Sequence, residues 1–258
     1  MIAKNYLRMT LFTVLGVLLV SCGTSPPDPL EKLKKELNAY PEYSVILVDM
    51  REEGLLFSNY YHLYRILYLD RDLKEGEPVL REKISPWYAV SKAFYDKYRD
   101  CLGMTILAKE KDGTIVDVPQ PPAYQFIGDT RFGQWKTDEK GNQVWEWLGK
   151  YYVISTILDL LGGHRTIYYG DWHDYRTSMQ RRKPYFGPKD ESGKPTYGTS
   201  GSWTQKKFPT FFERQQARMA AKKSSFEQRV AQSMGKTRTS TFTTRTTGGS
   251  FGGRSGGK

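Results

Sequence analysis

Tyr43-Ser44-Val45-Ile46-Leu47-Val48-Asp49-Met50, followed by Tyr60-Tyr61-His62-Leu63-Tyr64-Arg65-Ile66-Leu67-Tyr68-Leu69, decides the fold. The first run is a short apolar block and predicts a buried strand. The second, rich in Tyr, Leu and Ile with few breakers, predicts another. Glu52-Glu53-Gly54 begins the turn between them, so the two strands are expected to pair antiparallel.

Helical spacing flanks this pair. Upstream, Asp28-Pro29 suits an N-cap with a first-turn proline, and Leu30, Leu33 and Leu37 recur on one helical face until Pro41. Downstream, Ser85-Pro86 predicts a helix start. Trp87, Val90, Phe94, Tyr98 and Cys101 or Leu102 then line one face, with Gly103 as a C-cap. Met104–Lys109 and Thr114–Val118 flank Lys111-Asp112-Gly113, a hairpin signal, and Pro119 lacks the donor needed to extend the second strand. Gly141-Asn142 turns the chain between Trp135 and Trp145. From Trp147 the steps become helical through Tyr151, Ile154, Leu158 and Leu161, until Gly162-Gly163. The expected fold is α+β: an antiparallel sheet over residues 29–175, packed by two or three helices, the main ones near 86–102 and 145–161.

After Gly163 the texture changes. Tyr168, Tyr169, Trp172, Tyr175, Tyr185, Phe186, Tyr197 and Trp203 are interleaved with Gly, Ser, Arg and Lys and keep no period, which predicts a loosely ordered extension. Thr210 with Glu213 and Ser224 with Glu227 have capping-box spacing, and Phe226, Val230 and Met234 share a helical face. From Lys236 onward Thr, Ser, Gly and Arg dominate, and disorder is expected. Residues 176–258 are therefore read as a largely disordered basic tail with short helices at most.

Charge divides along the same line. Cys22–Tyr175 holds 19 Lys+Arg against 24 Asp+Glu, whereas Arg176–Lys258 holds 18 against 4. A mildly acidic body with a strongly basic tail points to a polyanionic partner. A merely solubilising tail is the competing reading.

The compartment comes from the first residues. Lys4 and Arg8 precede an apolar run, Met9 to Val20, shorter than the ~20 residues a membrane span needs. That run closes on Leu19-Val20-Ser21-Cys22. The segment resembles the lipobox of bacterial lipoproteins. The resemblance implies removal of residues 1–21 by cleavage between Ser21 and Cys22, diacylglyceryl attachment at Cys22, and acylation of the new amine. Residues 22–28 would then tether the domain to the membrane, and two or three acyl chains hold a protein there stably. It further implies a bacterial cell envelope location, with the outer membrane as destination in a two-membrane host. The rest of the chain is similar to uncharacterised bacterial lipoproteins in which a Gly-Gln-Trp hairpin, a Trp/Tyr-rich helix and a basic Tyr/Gly-rich tail follow one another, here Gly133–Tyr152 and Tyr168–Tyr197. No activity comes with that group.

Little points to catalysis. With Cys22 acylated, Cys101 has no intrachain partner and reads as a buried thiol. His62 falls in a strand and reads as a half-buried packing residue. His164 and Gly170-Asp171-Trp172-His173-Asp174 lack the i, i+4 pair that marks a helical metal site, so no metal or cofactor is expected. Gly198-Thr199-Ser200-Gly201-Ser202 has serine where a nucleophile elbow needs its second glycine. Carboxylate pairs suited to glycoside hydrolysis stay open, because sequence gives no separation between them.

Two non-enzymatic readings follow. In the first, a binding or scaffolding module uses its basic tail on anionic lipid, lipopolysaccharide, a cell-wall polymer or an acidic envelope protein, with nucleic acid set aside by the exported location. In the second, Tyr168, Tyr169, Trp172 and Tyr175 stack on the sugar rings of a glycan such as peptidoglycan. Aromatics that cover the body's own sheet are the plainer account of those four.

Overall fold

The computed structural model describes residues 26–54, 57–74, 77–148, 156–157, 159–162 and 166–237. The expected signal segment 1–21, Cys22, the first residues of the expected tether, Tyr151, Ile154, Leu158, His164 and residues 238–258 lie outside the described residues.

Helix α1 (Pro29–Leu37) begins where Asp28 accepts the Leu30 N–H at 2.8 Å, and it buries Leu30, Leu33 and Leu37. That cap contributes about 1 kcal/mol. Strands β1 (Tyr43–Glu53) and β2 (Asn59–Lys74) pair antiparallel, with Val45 opposite Ile66 and Tyr43 opposite Tyr68. Gly54 makes the turn out of β1 at φ 90°, open to glycine without strain.

The sheet then departs from the expected helix over 86–102. Strands β3 (Glu77–Ile84) and β4 (Tyr88–Val90) both pair with β2, at different places along it. The reason lies in Ser85, which is committed to β2: its N–H donates to Tyr64 O at 2.8 Å and its Oγ accepts the Tyr64 N–H at 3.0 Å. Ser91 is the true cap, accepting the Phe94 N–H at 3.1 Å, and α2 spans only Lys92–Tyr98.

Strands β5 (Thr105–Lys109) and β6 (Ile115–Val116) form the hairpin expected around Lys111-Asp112-Gly113, and β5 pairs with β1. The order is β3-β2-β1-β5-β6, antiparallel throughout, with β4 beside β3 on β2. A separate hairpin, β7 (Gly133–Thr137) and β8 (Gln143–Trp147), sets Trp135 opposite Trp145. The helix expected over 145–161 therefore starts too early. Trp145 and Trp147 belong to a strand, while Thr156, Ile157, Asp159 and Leu160 are helical.

Helices α3 (Tyr169–Gln180), α4 (Ser202–Lys207) and α5 (Pro209–Thr237) complete the described chain. The fold is α+β. The body's expected end, between Tyr175 and Arg176, falls inside α3, and the chain divides instead into one unit ending at Phe212 and a second starting at Glu213. Tyr197, Phe211 and Tyr175 join the sheet residues in the core of the first unit, with Tyr185, Phe186 and Trp203 packed against it. Loops can bury aromatics without any period, which is why this segment resembles low-order sequence. Ser224 and Glu227 do not start a helix. Both sit inside α5, where Ser224 Oγ donates back to Ala221 O at 3.0 Å.

Candidate functional site

The four aromatics singled out from sequence lie at the start of α3 and divide. Tyr168 and Tyr169 are 45% and 40% exposed, Trp172 is half-buried, and Tyr175 is buried at 1%. Tyr175 Oη donates to Gln120 Oε1, facing the core. Trp172 Nε1 donates to Ile127 O at 3.1 Å. The structure brings Tyr169 and Trp172 together, their rings 5.4 Å apart, and sets both on Trp135 of the separate hairpin at 5.0 and 5.6 Å. Trp145 lies 5.1 Å beyond Trp135, and Trp147 another 5.9 Å on. Such contacts hold the hairpin against α3, and the backbone agrees: Trp145 N–H donates to Ile167 O at 2.9 Å.

Trp172 also borders an open cleft that sequence reasoning missed. Two adjoining hollows, about 370 and 480 Å³, share Lys111, Gln125 and Asp129. Trp172, Ile127 and Arg176 line one, and Glu42, Glu110 and Asp112 line the other. The carboxylates come from the entry to β1, the β5–β6 turn and the loop before β7. Arg131 ties two of them, Glu42 and Asp129, together. Its Nη2 donates to Glu42 Oε1 at 2.7 Å, and its Nε and Nη2 both reach the Asp129 carboxylate.

Burial raises Glu42 above the usual carboxylate range, opposed by the hydrogen bond and charge of Arg131. Burial raises Glu110 too, opposed by Arg176, whose Nη1 is 3.9 Å away. Asp129 goes the other way. Burial pushes it up, but the side-chain and backbone hydrogen bonds of Arg131 outweigh that and hold it low. Only the Asp129-Thr130-Arg131 spacing, with Asp129 Oδ1 accepting the Arg131 N–H at 2.9 Å, is a local trace of this cluster. The cleft can accept hydroxyl or amine donors at its carboxylates.

Two other reactive side chains, His62 and Cys101, are used in packing. His62 is fully buried, not half-buried, among Tyr64, Phe94, Tyr95 and Tyr98, with Nδ1 3.1 Å from Tyr64 Oη. Burial holds its pKa down to about 3. Cys101 is buried as expected, and burial pushes its thiol up to about 12. Among the described residues no group of His, Cys, Asp and Glu is arranged to hold a metal ion, and His173 is exposed on α3. Thr199, in the serine-rich loop, zips that loop to the end of α2: its Oγ1 donates to Arg99 O at 2.6 Å and accepts the Leu102 N–H at 3.2 Å.

The basic residues of the second unit have a shape of their own. From Glu213 onward α5 carries Arg214, Arg218, Lys222, Lys223 and Arg229 against Glu213 and Glu227, a charge balance far from the body's. Its Ala, Gln, Arg, Lys, Met and Glu content is strongly helix-favouring. No described helix is long and apolar enough to cross a membrane.

No known protein family, curated protein or solved structure matches this chain.

Proposed function

We propose that this protein is a lipid-anchored component of the bacterial cell envelope, working as a non-catalytic binding or scaffolding module. In this reading Cys22 carries the acyl chains, the α+β body stands off the membrane, and the basic arm from Glu213 meets anionic envelope material. The carrying observation is the segregation of charge. Residues 213–258 hold 10 Lys+Arg against 2 Asp+Glu, while the preceding residues from Cys22 are nearly balanced at 27 against 26. Clustered cations on one segment create a local positive potential that a balanced body does not cancel. The exposed aromatics favour the same choice, because packing on the hairpin and core leaves no four-residue platform.

The test compares the full chain with one ending at Phe212, so that Phe208 and Phe211 keep their places against the core. Binding to lipopolysaccharide or a teichoic acid polymer should vanish with residues 213–258. It should also weaken steeply between ~0.1 and ~1 M salt, as the screening length falls from ~10 to ~3 Å. Undiminished binding by the shortened chain rejects the arm. Mass spectrometry of membrane-extracted protein tests the anchor: an unacylated Cys22 rejects it.

A second reading rests on the cleft, where Trp172 borders carboxylates from three segments. It predicts glycan binding that resists salt, survives loss of residues 213–258 and is lost in Trp172→Ala. Bond cleavage in that cleft would be lost in Glu110→Gln.

A further inference from the structure

Helix α5 has an apolar side as well as a basic one. At about 100° per residue, Phe226, Met219, Val230 and Met234 fall within an arc of roughly 80°, and Lys223 stands between Val230 and Met234, its long apolar stem able to lie along the face while its ammonium reaches up to the headgroups. Met219, Phe226 and Met234 are 68%, 61% and 62% exposed. Lys222, Arg229, Arg218 and Arg214 fall on the adjoining arc to one side, and Glu227 and Glu213 on the other. Serines on the helix return their hydroxyls to its own carbonyls, Ser225 to Lys222 O at 2.9 Å and Ser233 to Val230 O at 2.8 Å, so these polar groups need no external partner.

A second copy of this chain could cover an apolar stripe, but it would bring the same cationic flank alongside. The heptad from Met219 to Phe226 also continues into Ser233 rather than an apolar knob. An acidic protein groove would satisfy the charges without requiring three exposed large apolar side chains beside them. Apolar and cationic arcs side by side on one long helix match an interface with anionic headgroups above and acyl chains just below.

We infer that residues 213–237 of α5 lie in the plane of an anionic phospholipid bilayer, with Phe226, Met219 and Met234 sunk among the upper acyl carbons and Arg218, Lys222 and Arg229 among the phosphates. This rests on the reading that the basic arm meets an anionic component, and it names that component as the lipid surface itself. The arm would thereby become a second, reversible attachment that depends on lipid composition.

The experiment uses a soluble full chain starting at position 22 with Cys22→Ser, so that no acyl chain supplies the binding. Vesicles of phosphatidylglycerol with phosphatidylcholine are compared with vesicles of phosphatidylcholine alone, and Phe226→Cys, labelled with an environment-sensitive dye, reports depth. Binding is expected on the anionic vesicles only, with a blue-shifted label. Arg218→Gln, Lys222→Gln and Arg229→Gln together should lower partitioning on the order of 100-fold, at about one kcal/mol per cation near a charged surface. Phe226→Gln with Met219→Gln should lower it at least tenfold while helicity by circular dichroism stays unchanged.

An unshifted label, or binding indifferent to the apolar substitutions, overturns insertion and leaves the electrostatic arm standing. Binding to soluble polyphosphate without binding to vesicles has the same meaning. A dimer in solution that Phe226→Gln dissociates assigns the stripe to a second copy and overturns the inference. Binding to neither vesicles nor polyphosphate removes both the inference and the function on which it rests.

Discussion

His62 should make this protein sensitive to mild acid, and the size of the effect follows from its surroundings. Enclosed by Tyr64, Phe94, Tyr95 and Tyr98, it is fully buried, and burial lowers its pKa from 6.5 to about 3. The folded protein therefore keeps the ring neutral where the unfolded chain protonates it. The unfolded state binds more protons between those two values, so this residue's stability contribution is full above about pH 6.5 and is lost as the pH falls towards 3. At 1.36 kcal/mol per unit, the loss reaches about 2 kcal/mol at pH 5 and about 3 kcal/mol at pH 4. His62→Phe fills the aromatic cage with a ring that cannot take a proton. It removes the partner of Tyr64 Oη, which costs about 1–3 kcal/mol at pH 7.5. Glu42 and Glu110, whose pKa values are raised, and Asp129, whose pKa is lowered, contribute their own pH slopes to both proteins. The difference between wild type and variant is therefore the quantity to follow. Urea unfolding at pH 7.5, 6, 5 and 4.5, monitored by far-ultraviolet circular dichroism, should show the variant's deficit shrinking by about 2 kcal/mol at pH 5 and roughly 3 kcal/mol at pH 4.5, closing or reversing. A deficit that is constant across that range would refute the argument.

Three further outcomes follow. Arg131→Gln strips Glu42, only 5% exposed, of its countercharge and should lower stability by about 2–3 kcal/mol in chemical denaturation, with most of the loss recovered by adding Glu42→Gln. Gly162→Ala meets both a φ of 85° and the Trp203 indole, 2.3 Å from the new Cβ; it should cost about 2–4 kcal/mol, and an unchanged melting temperature would contradict the packing. Cys101 should resist a thiol reagent at pH 8 in the native protein and react quickly in denaturant, since burial places its pKa near 12.

Most of the sheet was legible because its signals are local. The apolar block at Val45–Val48, the Lys111-Asp112-Gly113 turn and the Gly141-Asn142 turn each specify strand or hairpin without distant help. The 86–102 segment misled for a tertiary reason: Ser85 bonds across to Tyr64, which no spacing in the sequence announces. The helical spacing from Trp147 likewise overran the pairing of Trp145 and Trp147 with the opposite strand. Tyr185, Phe186 and Tyr197 gave no period because they reach the body from loops. The single long α5 was legible in principle from its composition, but the Ser224–Glu227 spacing imitated a boundary. The cleft was not legible at all, since Glu42 and Arg131 are 89 residues apart and meet only through the fold.

The chain of indoles joining the β7–β8 hairpin to α3 has a practical consequence. Four of the six tryptophans, Trp135, Trp145, Trp147 and Trp172, touch in sequence and exchange excitation among themselves. Intrinsic emission is therefore weighted towards this small hairpin and its docking, whereas the amide signal sums over every strand and helix. Where emission shifts before the amide signal falls during denaturation, the hairpin has lifted away while the rest of the backbone still holds.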